Sequence, residues 1–302
     1  MNKDFKSGFV AIIGRPNVGK STLLNQFLKQ KIVIVSPKAQ TTRNKIQGIY
    51  TDDESQIVFI DTPGFHKPKT ELGKIMNEYV SSALAGVDVV LLMCDITKKI
   101  TEDDQRMINE LLKAKIPTIL VGNKVDLIKD QTELVANMEA YRNIFPFVQG
   151  IAISATNNYQ VDELIKLIKS NLKNGPMYYP EDQLLDQPER FVVAEIIREK
   201  ILLKTDDEVP HSVAVEIENF KENPNKPGLV EIHAVIVVER QSQKKIIIGS
   251  KGQKIKEIGI LARQDIAKLL GNKVYLELFV KVEENWRNHK SQLSNFGYTK
   301  DV

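Results

Sequence analysis

The segment Gly14-Arg15-Pro16-Asn17-Val18-Gly19-Lys20-Ser21 decides the fold of the first half of the chain. It matches the phosphate-binding pattern G-x-x-x-x-G-K-S/T, and it follows an apolar run and opens a helical pattern, as that motif requires. Glycines let backbone N–H groups surround phosphate oxygens, and the helix N-terminus adds a favourable partial charge. We expect Lys20 to pair with the β- and γ-phosphates and Ser21 to ligate Mg²⁺. The motif predicts a nucleoside triphosphate site without naming the base.

Short apolar runs alternate with amphipathic stretches after this motif, up to about residue 174. Strands are predicted at residues 9–14, 46–50, 57–61, 87–95, 118–123 and 150–154. Helices are predicted at residues 20–29, 72–84, 102–114, 131–143 and 161–172. This alternation predicts an α/β domain with a mostly parallel sheet and helices on both faces. Because such sheets bind ligands at the carboxyl ends of their strands, the functional motifs are expected there.

A second motif, Asn123-Lys124-Val125-Asp126, ends a predicted strand and identifies the base. The Asp126 carboxylate can accept hydrogen bonds from the ring N–H and the exocyclic amine of guanine, whereas adenine has no such pair of donors. A buried polar group without a partner costs about 1–3 kcal/mol, which makes this distinction effective. We expect Asn123 to brace the loop and the stem of Lys124 to lie over the ring.

Two further segments end predicted strands on the same edge of the sheet. In Asp61-Thr62-Pro63-Gly64, Asp61 is expected to hold Mg²⁺ through water, and the N–H of Gly64 to sense the γ-phosphate. Ser154 and Ala155 lie at the end of the last strand of the domain and are expected to contact guanine through their backbone amides. Both segments therefore fit a GTP site.

The segment Gln40-Thr41-Thr42-Arg43 lies between the first helix and the second strand, where a threonine must sense the γ-phosphate. We predict this role for Thr42, with Thr41 as the alternative, and a plain solvated loop is the other interpretation.

The predicted Mg²⁺ ligands are Ser21, Thr42 and Asp61. The predicted catalytic or switch residues are Asn17, Lys20, Thr41, Thr42 and Gly64. Contacts with GTP or GDP are predicted for Gly14, Arg15, Pro16, Asn17, Val18, Gly19, Lys20, Ser21, Asp61, Thr62, Pro63, Gly64, Phe65, Asn123, Lys124, Val125, Asp126, Ser154 and Ala155.

The chain changes character after residues 175–190, GPMYYPEDQLLDQPER, whose three prolines and one glycine predict a linker. The order then becomes helix, two strands, two helices around a glycine turn, and a strand. This order predicts a smaller α+β domain. The predicted boundaries are 1–174 for the first domain, 175–190 for the linker, 191–285 for the second domain and 286–302 for a C-terminal tail.

The glycine turn lies in residues 246–255, IIIGSKGQKI, and has the pattern G-x-x-G. The net charge of the chain is only +3, but residues 240–273 hold nine basic and two acidic side chains. A KH domain clamps about four single-stranded nucleotides at such a loop. Its glycines permit close approach, its lysines meet phosphates, and apolar side chains such as Ile248 and Ile255 face bases. The predicted RNA-binding residues are Lys244, Lys245, Ile248, Gly249, Ser250, Lys251, Gly252 and Lys254.

The composition fits a globular protein and excludes two other classes. Hydrophobic residues make up 42% of the 302 residues and charged residues 27%. The most apolar run, residues 87–96, is far shorter than the roughly 20 residues that span a bilayer. The lone cysteine, Cys94, excludes an intramolecular disulfide, fits a reducing cytosol and is predicted to be a small core residue.

The order GRPNVGKS, QTTR, DTPG, NKVD and SA resembles the translation-factor-related GTPases, and the first two segments are similar to the Era family in particular. The second domain resembles the type II KH fold, so the resemblance extends over essentially the whole chain. One P-loop and one NKxD motif exclude the relatives with tandem GTPase domains. The resemblance implies a GTPase that binds the single-stranded 3′ region of 16S rRNA and assists assembly and maturation of the small ribosomal subunit. It also implies a cytoplasmic protein, which we expect to be a monomer, with a peripheral contact at the cytoplasmic face of the cell membrane.

The motifs depart from Ras-like enzymes at Phe65, where those enzymes carry the glutamine that orients the attacking water. Phe65 cannot orient water by hydrogen bonding, so a partner or another group must contribute. The side-chain carbonyl of Asn17 is placed to coordinate a monovalent cation between the phosphates, and the resemblance implies K⁺ in that position. The alternative is that Asn17 only hydrogen-bonds its own turn.

Two other functions remain open for the second domain. It could serve a signalling switch by binding protein, although the lysines around residues 249–252 argue against this. Its basic residues could also hold a GTPase at a membrane surface through anionic lipids. For the RNA-binding interpretation, we predict that GTP orders residues 40–45 and 61–72, repositions the KH domain and exposes its RNA groove.

Overall fold

The computed structural model describes residues 4–38 and 40–299. Its first half is built on a six-stranded sheet in the order β2-β3-β1-β4-β5-β6, in which only β2 is antiparallel to its neighbour. The strands are β1 Lys6–Gly14, β2 Ile46–Asp52, β3 Ser55–Asp61, β4 Val89–Asp95, β5 Thr118–Asn123 and β6 Gln149–Ile153. The helices are α1 Lys20–Phe27, α2 Glu71–Ala83, α3 Glu102–Ala114, α4 Gln131–Arg142 and α5 Val161–Asn171. The predicted α/β fold is confirmed.

Both faces of this sheet are covered because its central strands are apolar at successive positions. In β1, Ile12 packs in the cluster formed with α1 and α5, whereas Ala11 and Ile13 pack in the cluster formed with α3 and α4. Successive side chains of a strand point to opposite faces, so one strand contributes to both cores. Burying one such side chain stabilises the fold by about 1.5–3 kcal/mol. The two clusters hold the loops at the strand ends in fixed positions.

The predicted linker lies against the edge of the sheet. The backbone N–H of Ile49 in β2 donates to the carbonyl of Leu184 at 2.8 Å, and the side chain of Gln56 bonds the backbone of Tyr178 and Tyr179. The segment therefore covers backbone groups that an exposed edge strand would leave unpaired. The next helix begins at Glu189, so it includes the last two residues of the predicted linker.

The second half is an α+β domain with the element order that the sequence predicts. Its sheet has the order β7-β8-β9, with β7 antiparallel and β9 parallel to β8. Helices α6, α8 and α9 pack on one face of this sheet. A four-residue helix, α7, is additional and too short to give a periodic signal in the sequence. The elements are α6 Glu189–Lys204, α7 Val209–Ser212, β7 Ala214–Glu222, β8 Leu229–Val238, α8 Gln241–Ile248, α9 Gln253–Leu270 and β9 Lys273–Val282.

The other face of the second sheet packs against the first domain. Helix α2 and the tail, which contains α10 Lys290–Asn295, share an apolar cluster with β7 and β8. Trp286 is fully buried there, and its indole N–H donates to the carbonyl of Ser212 at 2.9 Å. The hydroxyl of Tyr79 in α2 donates to the carbonyl of Thr299 at 2.6 Å. The tail therefore joins the two domains.

Candidate nucleotide site and nucleic-acid interface

The predicted nucleotide motifs meet at one edge of the first sheet. Ile12 of β1 is in register with Asp61 of β3, and Asn123 of β5 is in register with Ile153 of β6. These strands are parallel, so the segments that follow them leave the sheet on the same side. The four segments that carry the predicted phosphate, magnesium and base contacts are brought together by this topology.

Asn123 ties three of these segments to one another. Its amide nitrogen donates to the carbonyl of Val18 at 2.7 Å, and its side-chain oxygen accepts from the N–H of Ala155 at 2.9 Å. Gly19 lies against it with φ +106°, and a β-carbon at that position would lie 2.4 Å from the amide nitrogen. Only glycine allows both the backbone angle and the approach. Asn123 therefore braces the phosphate loop and the loop after β6.

Lys20 occupies the centre of the phosphate loop. Its ammonium group donates to the carbonyls of Gly14 and Arg15 at 3.1 and 3.0 Å. Burial lowers its pKa to about 8, and the Asp61 carboxylate opposes that shift. Phosphate oxygens would stabilise the charged form in the same place. The side chain of Arg15 instead pairs with Asp104 at 2.9 Å.

Three oxygen-bearing side chains converge beside the phosphate loop. The hydroxyl of Ser21 lies 2.8 Å from the hydroxyl of Thr42 and donates to Asp61 Oδ2 at 2.8 Å. The other carboxylate oxygen, Oδ1, is buried without a hydrogen-bond partner. Burial raises the pKa of Asp61 to about 6, a shift that a cation would reverse. A carboxylate with an orphaned oxygen, grouped with two hydroxyls, fits Mg²⁺, which prefers oxygen ligands.

The two candidate threonines face different groups. Thr42 is the one beside Ser21, whereas the hydroxyl of Thr41 donates to the carbonyl of Lys38 at 2.6 Å. The amide nitrogen of Asn17, whose φ is +62°, donates to the carbonyl of Pro37 at 2.9 Å. The phosphate loop is thus linked directly to the segment before the threonines, and Thr42 is the one that points at the cluster of metal-type ligands.

The segment after β3 lies directly on the phosphate loop. A β-carbon at Gly64 would come within 2.5 Å of the backbone nitrogen of Pro16, so no other residue fits this approach. Thr62 and Pro63 are buried. The Phe65 ring packs against the apolar cluster that α3 and α4 form with the sheet. The partly buried ring is therefore held against the core, and it cannot position water.

The base end of the site is open. Asp126 is exposed and lines a cavity together with Val125 and Ser154, and also with Tyr159, which the sequence analysis did not identify. Lys124 forms an ion pair with Asp95 at 2.8 Å, and this pair holds its stem beside the loop. The N–H groups of Ser154 and Ala155 donate to the carbonyl of Tyr159 and to Asn123, respectively. Their contact with guanine through these amides stays a prediction.

The G-x-x-G turn of the second domain has the shape that a close phosphate approach needs. Gly249 and Gly252 have φ values of +71° and +75°, and Lys251 between them has +49°. The space beside the Cα of Gly252 is open to 4 Å, whereas a β-carbon at Gly249 would lie 2.7 Å from Lys254 Cβ. One glycine therefore closes the turn and the other leaves room for a ligand.

The predicted RNA-binding residues line this turn and its flanking helices. Lys245, Ser250 and Lys251 are exposed, and Lys244, Ile248 and Lys254 are partly buried. Beside the turn, a groove runs between α9 and β9, with walls formed by Ile255, Gly259, Ile260, Arg263, Leu276 and Leu278. Of these residues only Ile255 was predicted to face bases, because the wall that β9 contributes comes from a strand outside the G-x-x-G pattern.

Helix α6 of the second domain holds the segment that contains Thr41 and Thr42. The Glu199 side chain, 1% exposed, accepts from the N–H of Val35 at 3.0 Å and from Lys31 at 2.9 Å. Arg198 donates to the carbonyl of Thr41. Arg43 is fully buried and donates to two carbonyls beside α7. No local sequence pattern indicates these contacts, because they join residues far apart along the chain.

No helix among residues 4–38 and 40–299 is long and apolar enough to cross a membrane. A family model described as a 50S ribosome-binding GTPase matches residues 9–124, and a KH domain model matches residues 208–287.

The relatives are similar over the full length. The chain is 52% identical to the GTPase Era of Lacticaseibacillus paracasei over 98% of both chains. A crystal structure of a variant of Aquifex aeolicus Era bound to GDP·AlF₄⁻ has a TM-score of 0.94 and 41% identity, covering 98% of this chain and 100% of that one. A structure of Era in complex with MgGDPNP and nucleotides 1506–1542 of 16S ribosomal RNA has the same TM-score and identity, covering 98% and 99%. The chain therefore belongs to the Era family and is a GTPase.

Proposed function

We propose that this GTPase binds the single-stranded 3′ region of 16S rRNA through its KH domain and assists assembly of the small ribosomal subunit. One observation supports this proposal: the same chain contains a nucleotide site whose phosphate loop is held by Asn123 and an open G-x-x-G turn lined by lysines. The Era relative whose complex contains nucleotides 1506–1542 of 16S rRNA has the same fold over its full length.

In the proposed nucleotide complex, the phosphate chain lies on the N–H groups of residues 14–21 and replaces the carbonyl partners of Lys20. Mg²⁺ is the cofactor, and we assign its protein ligands to Ser21 and Thr42, with Asp61 acting through water. The metal would neutralise charge on the β- and γ-phosphates. Asp126 would accept both guanine donors at the open end of the site.

The proposed switch works through the contacts between the two domains. The predicted switch segments are residues 40–45 and 61–72. Helix α6 holds Thr41 of the first segment through Arg198, and helix α2, which begins at the end of the second segment, packs against β7, β8 and the tail. Any change that GTP imposes on Thr42 or Gly64 must therefore alter contacts of the KH domain. Interfaces of packed side chains convert such small shifts into discrete rearrangements. We infer that the GTP state presents the RNA groove and that hydrolysis leads to release.

We infer that a monovalent cation, K⁺, assists hydrolysis at Asn17. The Asn17 amide nitrogen is bonded to Pro37, so the side-chain oxygen is the atom that remains for a cation. The same bond joins the phosphate loop to the segment that precedes Thr41. A cation held at this point would lie beside the phosphates, where negative charge develops in the transition state.

The proposed place of action is the cytoplasm, where the chain would work as a monomer. Contact with the cytoplasmic face of the cell membrane stays a prediction. Vesicle flotation with anionic lipids, alone and in competition with single-stranded RNA, distinguishes a membrane surface from RNA as the ligand of the lysines.

RNA cross-linking tests the proposed function directly. The protein is cross-linked to 16S rRNA in the presence of a non-hydrolysable GTP analogue, and both partners are mapped. We expect cross-links between residues 244–254 and the 3′ end of the RNA. Cross-links confined to the first domain, or none to the 3′ region, would contradict the proposal.

A further inference from the structure

The protein lacks the usual water-orienting glutamine, because Phe65 occupies that position and its ring packs against the core. Another polar group must therefore face the γ-phosphate if the protein itself orients the water. The cavity between the phosphate loop and the two switch segments is lined by Lys20, Thr42, Gly64 and Gln40. Gln40 is the residue in this set to which the sequence analysis gave no role.

Two hydrogen bonds define how Gln40 is held. Its amide nitrogen lies 3.0 Å from Nε2 of His66, and Nδ1 of the same ring lies 2.9 Å from the carbonyl of Gly64. An amide nitrogen can only donate and a carbonyl can only accept. Both contacts therefore require the same neutral ring, with the proton on Nδ1 and the lone pair on Nε2. Because the amide nitrogen is committed to His66, Oε1 is the acceptor that Gln40 can offer to a water molecule.

Both ends of this bridge are fixed by other contacts. The carbonyl of His66 accepts from the side chain of Asn77 in α2 at 2.8 Å. Gln40 has a φ of +60°, which is costly for a residue other than glycine and persists only where the surroundings impose it. The next residue, Thr41, is held by Arg198 and by its own bond to Lys38. These contacts hold the bridge beside the cavity that Gln40 lines.

We propose that Gln40, held by His66, is the residue that positions the attacking water. The inference rests on the proposed placement of GTP, with the γ-phosphate between Thr42 and Gly64. Oε1 accepts one hydrogen of the water, whose oxygen forms the new bond to the γ-phosphorus. The bond from that phosphorus to the β–γ bridging oxygen breaks, GDP leaves, and the water proton passes to the phosphate product. His66 touches neither reactant and acts only through Gln40.

Single-turnover hydrolysis of bound GTP is the first test. We expect Gln40→Ala to slow it by about 10- to 100-fold, the order of effect of misplacing a reacting group. Affinity for fluorescent GDP and GTP should stay within about twofold of the wild-type value, and the rate ratio between K⁺ and Na⁺ should be unchanged. A wild-type rate with GTP bound would overturn the proposal. If the wild-type protein does not bind GTP at all, that result would instead contradict the proposed placement of the nucleotide.

Two substitutions of His66 separate positioning from a structural role. His66→Gln places an acceptor near the position of Nε2 and can still hold Gln40, whereas His66→Asn replaces only Nδ1 and can still bond Gly64. We expect His66→Gln to keep most of the rate and His66→Asn to be as slow as Gln40→Ala. The double variant of Gln40→Ala and His66→Asn should be no slower than either single variant. Equal rates for the two His66 variants, or additive losses, would overturn the role of His66. Lys113→Ala, an exposed substitution in α3 outside the switch segments, serves as the control and should keep the wild-type rate.

Discussion

Removing the Glu199 carboxylate should release the segment that carries the phosphate-sensing threonines. The N–H of Val35 donates to this buried, ionised side chain, which Lys31 and Lys200 also contact. The charge of these two lysines keeps the pKa of Glu199 below its usual range despite its burial. A hydrogen bond to a charged group contributes about 1.5–3 kcal/mol, and 1.4 kcal/mol corresponds to about a tenfold change in an equilibrium. In Glu199→Ala, the Val35 amide should therefore exchange its hydrogen about 10- to 100-fold faster.

Hydrogen exchange of the nucleotide-free protein, followed by mass spectrometry of peptides that cover residues 31–38, measures this effect. Glu199→Gln keeps an acceptor for Val35 and should exchange within about threefold of the wild-type rate. Glu257→Ala removes an exposed carboxylate from the same domain and should change nothing. Peptides from β1 report global unfolding and should stay protected. Unchanged exchange at Val35 in Glu199→Ala would show that α6 does not hold this segment.

Three further predictions concern the base, the cation and pH. Asp126→Asn should weaken GTP binding by about 100-fold or more and favour xanthine nucleotides, since an amide donor matches the 2-oxo group of xanthine; competition binding measures this, and unchanged GTP affinity would refute base recognition by this residue. Hydrolysis should be faster in K⁺ than in Na⁺ at equal ionic strength, and Asn17→Ala should abolish the difference; equal wild-type rates would refute the cation role. Burial, with Arg43 and Arg287, lowers the pKa of His211. As the pH falls below about 6.5, His211 is therefore protonated in the unfolded chain while it is still neutral in the folded one. The free energy of unfolding falls with pH for this reason. Between pH 7.5 and 5.5, the melting temperature of His211→Gln should fall by less than that of the wild-type protein. An equal fall in both proteins would refute the contribution of His211.

The nucleotide site was predictable because its residues lie in short contiguous segments at the ends of strands. Strand β5 and the Asn123–Asp126 motif illustrate this, since the predicted bounds of that strand agree with the structure. The backbone conformation of such a segment depends on residues adjacent in the sequence. The parallel order of the strands then brings the segments together. The position of Gly252 was predictable for the same reason, because the glycine pattern and the turn are local.

The contacts between the domains were not predictable from local pattern. Arg43 belongs to a segment interpreted as a switch loop, yet its guanidinium is buried against the backbone before β7. Glu199 and Arg198 lie in a helix whose charged positions look solvent-facing in the sequence. Trp286 lies in the predicted C-terminal tail, and a single aromatic residue after the last strand does not indicate what it packs against. Each of these positions depends on residues far away along the chain, which one sequence does not reveal.

The central claim is that the nucleotide and RNA sites are coupled through the segments that α6, β7, β8 and the tail contact. It is tested most directly by the affinity for a single-stranded RNA from the 3′ end of 16S rRNA, measured by fluorescence anisotropy at one fixed salt concentration. Coupling of about 1–3 kcal/mol predicts about 5- to 150-fold tighter binding with a non-hydrolysable GTP analogue than with GDP. Gly252→Asp, which places a carboxylate in the open space of the turn, should bind in neither state and still hydrolyse GTP at its intrinsic rate. Equal RNA affinity in the two nucleotide states would contradict the coupling, and wild-type binding by Gly252→Asp would contradict the RNA site.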